Sequence, residues 1–532
     1  MKRKVNIAAV GDDFYNYRDF LEDFFRREEI SWKFYFAKNL KEIFRIVKER
    51  NIEIFLIFDS DENKRKKFFK FIRELGQKSP VIFLGVFNNL EKEASKNYEY
   101  ILDLASSVKK YDLKNNLSKE ELKNLKDDIK EALEKSGRFE NKEGILITHG
   151  TDTLSWALAY LRYSLKGLKS NVAVTGSQIP LEGTLSPSDA VGNLRTAVYL
   201  LSKLKPPHLF AVFNNGKDVF SGRLTKFRKW DVDAFEGRLA AKVTHEGLKI
   251  LRNDWKLIPY EDQKLEKLHF IKTGGTIESK RSKGKGLSPK GDFVYEYIKV
   301  NLKEHFEKIL RYKVFSLDSS DLSFEDWKKI AKKIEDLGLA KCDSRFDKEV
   351  KPIFVNPLFT SKEYEKLFDM CGNGSILLGY GAGNANTLEK SSRSILTPLK
   401  KAVKEGKSVA VTSQVPLELY DTEYESGRKL IEAGGIPCGD LSFSDAQVKL
   451  SYLLGHKKII ESCSLSEKID FELLLVSSFL SGVNLTKNQR EELEKRFKKK
   501  SIGRMNFLSF DPFVSNSFSQ AIYMVIKEIK GK

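Results

Sequence analysis

Five apolar runs constrain this chain more than any other feature, because each ends in a short turn rich in hydroxyls, amides and glycine. They are GILIT into HGTDT (149–153), NVAVT into GSQ (176–178), HLFAVF into NNGK (214–217), LHFIK into TGGT (273–276) and YKVFSL into DSSD (318–321). Short apolar runs bounded by turn residues read as strands of an α/β sheet that is covered on both faces. Ligands of such sheets sit in the crevice beyond the carboxyl ends of the strands. The five turns are therefore expected to converge on one cleft. Taken singly, each has a plainer explanation: Thr151 or Asp152 as a cap of the helix LSWALAYLRYSL, the TGGT glycines as suppliers of positive φ, and DSSD as a cap of SFEDWKKIAKKIE. Five such turns at matching strand ends favour a site.

With 532 residues the chain exceeds what one core usually holds, so two to four domains are expected. It is 41% hydrophobic, which excludes wholesale disorder. No uncharged apolar run of about 18 residues occurs, and the start MKRKVNIAAV turns acidic at once, so neither a membrane span nor a signal peptide is expected. Cys342, Cys371, Cys438 and Cys463 lie far apart with no CxxC pair, against a disulfide framework or a zinc site. The expected location is the cytoplasm. The net charge of +19 raises nucleic acid as a partner, but the lysines are spread along the chain and interleaved with glutamates, as in SKEELKNLKDDIKEALEK. That pattern marks solvated helix faces. Neither a nucleic acid nor a membrane is the expected partner.

Residues 1–117 alternate strand-like and helix-like segments: VNIAAVG, DFLEDFFRREE, WKFYFA, LKEIFRIVKER, IEIFLIFD, KKFFKFIREL and PVIFLGVF. This predicts a small βα-repeat domain with a parallel sheet. Asp12, Asp13 and Asp59 sit at strand ends where a receiver domain of two-component signalling would chelate Mg²⁺ and accept phosphate. Gly85, Val86 and Phe87 stand where receivers carry Ser or Thr, and Asp103 near where they carry Lys. A receiver-like fold without phosphorylation chemistry is expected, with an unrelated flavodoxin-like module as the alternative.

The chain contains no HExxH, GxSxG or P-loop motif and no Cys/His pair. His149 reads as a packing or hydrogen-bonding residue. The cluster offers threonine hydroxyls, an aspartate and a lysine, Lys226 of GRLTK. A threonine attacks only when a neighbour takes its proton, and a lysine held neutral beside another hydroxyl can do so. Backbone N–H groups of glycine-rich turns can hold an oxyanion. These parts suit acyl transfer at an amide or ester.

HGTDT, VTGSQIP with SDAVGNLRTA, GRLTKFRKWDVDAFEG, IKTGGTI and LDSSDLSFEDW resemble the N-terminal domain of the L-asparaginase family, closest to its cytoplasmic type I enzymes. LLGYGAGN, VAVTSQ, YESGRKLIEAGGIPCGD and DAQVKLSYLLG resemble that family's smaller C-terminal domain. The order differs from the family's: HGTDT through DAF precedes TGGTI and DSSD, the signature of a circular permutation within the N-terminal domain, with residues 237–267 as the bridge between the old ends. The resemblance implies a two-domain α/β fold, with a permuted N-terminal domain over 118–342, a C-terminal domain over 343–460, and an unassigned, mostly helical extension over 461–532.

It further implies Thr276 as the nucleophile, with Thr273 supporting its turn, and a second triad of Thr151, Asp152 and Lys226. Ser319 would bind the substrate α-carboxylate, Asp152 and Ser320 would lie near the α-amino group, and the backbone at Ser177 would face the side-chain amide. Leu287 stands where the family's lid carries a catalytic tyrosine; Tyr295 and Tyr297 come later, in a helix-like segment. The implied activity is hydrolysis of asparagine to aspartate and ammonia by a threonine nucleophile, without metal or cofactor, in a homo-oligomer (dimer or tetramer). Two alternatives stay open: a catalytically weak amino-acid sensor on the same fold, and an ammonia-supplying subunit of a tRNA-dependent amidotransferase.

Overall fold

The structure is a computed structural model. It describes residues 5–10, 32–37, 42, 54–58, 81–85, 108–112 and 525–526, and all of 143–497 except 183–186, 229–230, 259–263, 283–285, 289–290 and 416–423. The chain divides into two compact units, Met1–Asn141 and Lys142–Lys532.

In the first unit, β1 (Val5–Val10), β2 (Trp32–Ala37), β3 (Ile54–Phe58), β4 (Val81–Gly85) and β5 (Val108–Asp112) form one parallel sheet in the order β2-β1-β3-β4-β5. This is a doubly wound order. The four apolar strands match the runs read from the sequence. The fifth, VKKYD, lies at the sheet edge, where polar side chains are tolerated and no apolar run announces the strand. Asp12, Asp13, Asp59 and Asp103 lie outside the described residues.

The second unit is built on an eight-stranded sheet of β6 (Glu143–Thr148), β7 (Asn171–Thr175), β8 (Leu209–Phe213), β9 (Asp218–Phe220), β10 (Leu239–Thr244), β11 (Gly247–Ile250), β12 (Leu265–Gly274) and β13 (Phe306–Leu317). Their order is β11-β10-β9-β8-β7-β6-β12-β13. The strands β8, β7, β6, β12 and β13 run parallel, so all five hydroxyl-rich turns leave the same edge. β12 lies directly beside β6, with Leu268 opposite Gly144 and Lys272 opposite Thr148, although β12 comes far later in the chain. The stretch 237–267, expected as a bridge, contains the hairpin β10–β11, which extends the sheet antiparallel beyond β9; Ala240 and Ala241 bury it.

Alternate strand residues feed two cores. Ile145, Ile147, Val172 and Val174 point to one, with the helix Leu154–Ser164 packed over them. Leu146, Ala173, Phe210 and Val212 point to the other, covered by the helices Ala190–Lys203 and Phe293–Asn301. The first core continues into a smaller parallel sheet, β14 (Lys351–Phe354), β15 (Gly374–Gly379), β16 (Ser408–Ser413) and β17 (Ile436–Pro437). The helices Lys457–Glu467, Phe471–Leu480 and Lys487–Phe497 contribute to that core as well. Among the described residues no helix is long and apolar enough to cross a membrane.

Candidate active site

The TGGT turn follows β12. Thr273 Oγ1 donates to Thr148 O at 2.6 Å, tying this turn to the start of HGTDT. Gly275 has φ 82°, and a Cβ there would lie 2.5 Å from Gly150 Cα and from Gly150 N. A glycine is required on both counts, and the two turns meet at backbone distance. Thr276 then opens a 3₁₀ turn, Thr276–Glu278, with its side chain half-buried.

DSSD joins from the other side of β12. A Cβ on Gly150 would lie 2.5 Å from Ser319 Oγ, so three turns converge within contact of Gly150. Ser319 is buried; its Oγ accepts from the Asp152 amide at 3.1 Å and its carbonyl accepts from Thr153 Oγ1 at 2.7 Å. Ser320 is exposed and bonds back to Asp318, through its amide at 3.1 Å and its hydroxyl at 3.2 Å.

The plainer capping explanations do not describe these turns. Thr153, not Thr151 or Asp152, holds the N-cap position of Leu154–Ser164, and no side chain caps that helix. The helix Phe324–Asp336 is capped by Ser323 with Asp326, two residues beyond DSSD. Thr151 and Asp152 instead share an amine: Lys226 Nζ donates to Thr151 Oγ1 at 2.8 Å and to Asp152 Oδ1 at 2.8 Å. Lys226 sits on a two-residue strand, Thr225–Lys226, paired antiparallel with Phe235–Glu236. Its side chain is 18% exposed against 58% for Asp152, so the amine is sunk while the carboxylate reaches solvent.

The GSQ turn is held by residues to which the motifs alone assign no role. Asp189 accepts from the amides of Gln178 and Ile179 at 3.0–3.1 Å and from Asn193 Nδ2 at 3.1 Å. Burial raises the Asp189 carboxyl above its ordinary range although these bonds pull it down. Asn193 also donates to Gly176 O at 3.0 Å and accepts from Gly216 N at 2.7 Å, linking GSQ to NNGK. The available signal was the i,i+4 spacing of Asp189 and Asn193 in SDAVGNLRTA, which puts both on one helix face. Ser177 is fully buried, its hydroxyl donating to Ile179 O at 2.6 Å, which leaves its backbone to line the turn.

His149 is buried with Nδ1 2.7 Å from Gly150 O, and burial pushes its pKa down to about 4, so the ring is neutral near pH 7. Tyr295 and Tyr297 lie on Phe293–Asn301 and pack against the second core. Leu287 lies in the ribbon Lys280–Ser282/Gly286–Ser288, opposite Arg281.

Fold and site together define, in the second unit, an α/β fold of one large and one smaller parallel-cored sheet, whose strand ends gather a threonine-bearing glycine turn and a hydroxyl–carboxylate–amine cluster. Family models match in two parts: "Asparaginase, N-terminal" over residues 83–255 and 267–344, and "Glutaminase/Asparaginase C-terminal domain" over 350–464. Carrying both domains over well over half of its length, the chain belongs to the asparaginase family. It is 26% identical over 327 residues to an L-asparaginase of Thermococcus kodakarensis, covering 61% of this chain and 73% of that protein. It is 23% identical over 321 residues to a glutamyl-tRNA(Gln) amidotransferase subunit of the same organism, covering 59% of this chain but only 55% of that protein. The solved structure of the thermostable L-asparaginase from Thermococcus kodakarensis aligns with TM-score 0.39 and 21% identity, over 69% of this chain and 85% of that one.

Proposed function

We propose that the chain is an amidohydrolase that converts L-asparagine to L-aspartate and ammonia through an acyl-Thr276 intermediate. The carrying observation is the Lys226 amine, 2.8 Å from both Thr151 Oγ1 and Asp152 Oδ1, on a turn that abuts TGGT through Gly150 and Gly275. Lys226 acts here in its neutral form, keeping an N–H on Asp152 while its lone pair takes the Thr151 hydrogen, so that Thr151 Oγ can accept a proton from Thr276. Thr276 Oγ attacks the carboxamide carbon and its proton passes to the Thr151–Lys226 pair. Backbone N–H groups of the glycine turns hold the oxyanion, ammonia departs with a returned proton, and water releases the acyl group. Ser319, Ser320 and Asp152 serve the zwitterionic head, the backbone at Ser177 faces the amide, and Thr273 fixes the nucleophile's turn.

Leu287 supplies no hydroxyl, so turnover is slow relative to a site with a further positioned proton acceptor; such a group commonly contributes about 10²- to 10⁴-fold. The adjacency of β12 and β6 supports the reading that the N-terminal domain is circularly permuted. The order of the five-stranded parallel sheet supports a receiver-like first domain. A homo-oligomer completes the proposed assembly.

A second reading, ammonia supply to a partner enzyme, is favoured by the similarity to the amidotransferase component. One assay separates them: purified chain is incubated with asparagine or glutamine and ammonia is measured. Release from asparagine by the chain alone supports the first reading, release only with a partner supports the second, and amino-acid binding without ammonia supports a sensor.

A further inference from the structure

We propose that Lys272 is a positioning residue for the nucleophile turn, clamping Thr276–Glu278 and the exit of the following ribbon to the end of β12; this rests on the reading of Thr276 as nucleophile. A lysine inside a buried parallel strand contradicts the apolar pattern of its neighbours Phe270 and Ile271, and Lys272 is only 2% exposed. A buried ammonium persists only where partners compensate its lost hydration. Lys272 Nζ donates to Asp292 Oδ1 at 2.8 Å and to Gly291 O, and lies 3.5 Å from Glu278 Oε2.

Those partners come from the two ends of one excursion of the chain. Glu278 ends the turn that Thr276 begins, and Gly291–Asp292 is where the chain returns before the helix Phe293–Asn301. The Gly291 amide closes the same neck by donating to Glu278 O at 2.9 Å. Asp292 is anchored further by Arg311 Nη1, 3.3 Å from its Oδ2. Thr276 is thus fixed from both sides: Gly275 against Gly150 before it, and buried Ile277 with Glu278, its carboxylate at ion-pair distance from Lys272, after it. The clamp grips the backbone on either side of Thr276, so its effect is on where the hydroxyl stands. Misplacement of a reacting group by about 1 Å costs on the order of 10²-fold in rate.

The test uses the full chain with Lys272→Met, Lys272→Arg, Glu278→Gln and Asp292→Asn, reading kcat and KM for asparagine together with amide hydrogen exchange at 276–292. Lys272→Met should lower kcat about 10- to 100-fold with KM little changed and speed exchange at both ends of the excursion. Lys272→Arg should recover part of both losses, because a guanidinium still reaches Asp292 and Gly291 O. If Lys272→Met does not fold, Asp292→Asn and Glu278→Gln carry the same expectation at smaller amplitude. Wild-type kcat and wild-type exchange in the folded variants would overturn the proposal. Should wild type release no ammonia, the functional reading fails on its own, while the exchange data still decide whether Lys272 holds the turn.

Discussion

Asp152 is held at two points, its carboxylate by Lys226 at 2.8 Å and its amide by Ser319 Oγ at 3.1 Å, and neither bond belongs to a helix cap. Asp152→Ala and Ser319→Ala should therefore leave the fold intact and weaken asparagine binding by about 1.5–3 kcal/mol each, the worth of a hydrogen bond to a charged group. Calorimetric titration beside a thermal melt checks this; a lowered melting point with unchanged affinity would return both residues to a structural role. Two other buried groups contribute to the pH response. Burial raises Glu278 from 4.5 to about 7, against the pull of Lys272 and Arg311 and with Asp292 adding to the rise. Its stabilising contribution is full below 4.5 and is lost as pH climbs through 7. Burial lowers His149 from 6.5 to about 4, so its contribution is full above 6.5 and is lost as pH falls through 4. Each is on the order of 3 kcal/mol, and between about 4.5 and 6.5 they oppose and nearly cancel. Comparing wild type with Glu278→Gln isolates one of them: the difference in unfolding free energy should shrink by that amount as pH rises from 4.5 past 7. A pH-independent difference in denaturant midpoints would contradict the assignment.

At the scale of elements, the candidate site lies where parallel strands end, and its residues are brought together by how closely their turns approach. Gly275→Ala would place a methyl 2.5 Å from Gly150 and strain a residue at φ 82°, so TGGT and HGTDT must part. We expect it to lose nearly all activity with little change in far-ultraviolet circular dichroism; retention of activity would mean the two turns need not touch. The turns were legible in the sequence because each is polar after an apolar run, and their convergence follows once the strands are parallel. What was not legible depends on contacts across the chain. The lysine of IKTGGT looks like one charge among many until Glu278 and Asp292 are seen beside it. VKKYD is an edge strand without an apolar signature, and the hairpin Leu239–Ile250 lies inside a stretch that reads as a connection. Asp189 and Asn193 were visible as letters of a motif, but only the fold shows that they brace GSQ against NNGK.

Across the whole second unit, one core runs from the large sheet through the small one into helices beyond residue 464, where the C-terminal family model stops. The segment FELLLVSSFL is almost wholly buried, with Phe479 fully so. Two cations tie its surroundings to the rest of the fold: Lys449 Nζ donates to Ser481 O at 2.6 Å, and Arg223, paired with Asp440, donates to Gly482 O. The extension is thus part of the fold, and Phe479→Ala should cost about 3–5 kcal/mol in urea unfolding; a loss below about 1 kcal/mol would mark it as a loosely attached appendage. Whether these turns assemble an amide-cleaving threonine is decided by ammonia release from asparagine with the purified full chain, run beside Thr276→Ala and Lys226→Met. Wild type should release ammonia slowly but measurably, and neither variant should release any. Release by Thr276→Ala at the wild-type rate, or asparagine bound by wild type with no ammonia formed, would contradict the acyl-Thr276 mechanism.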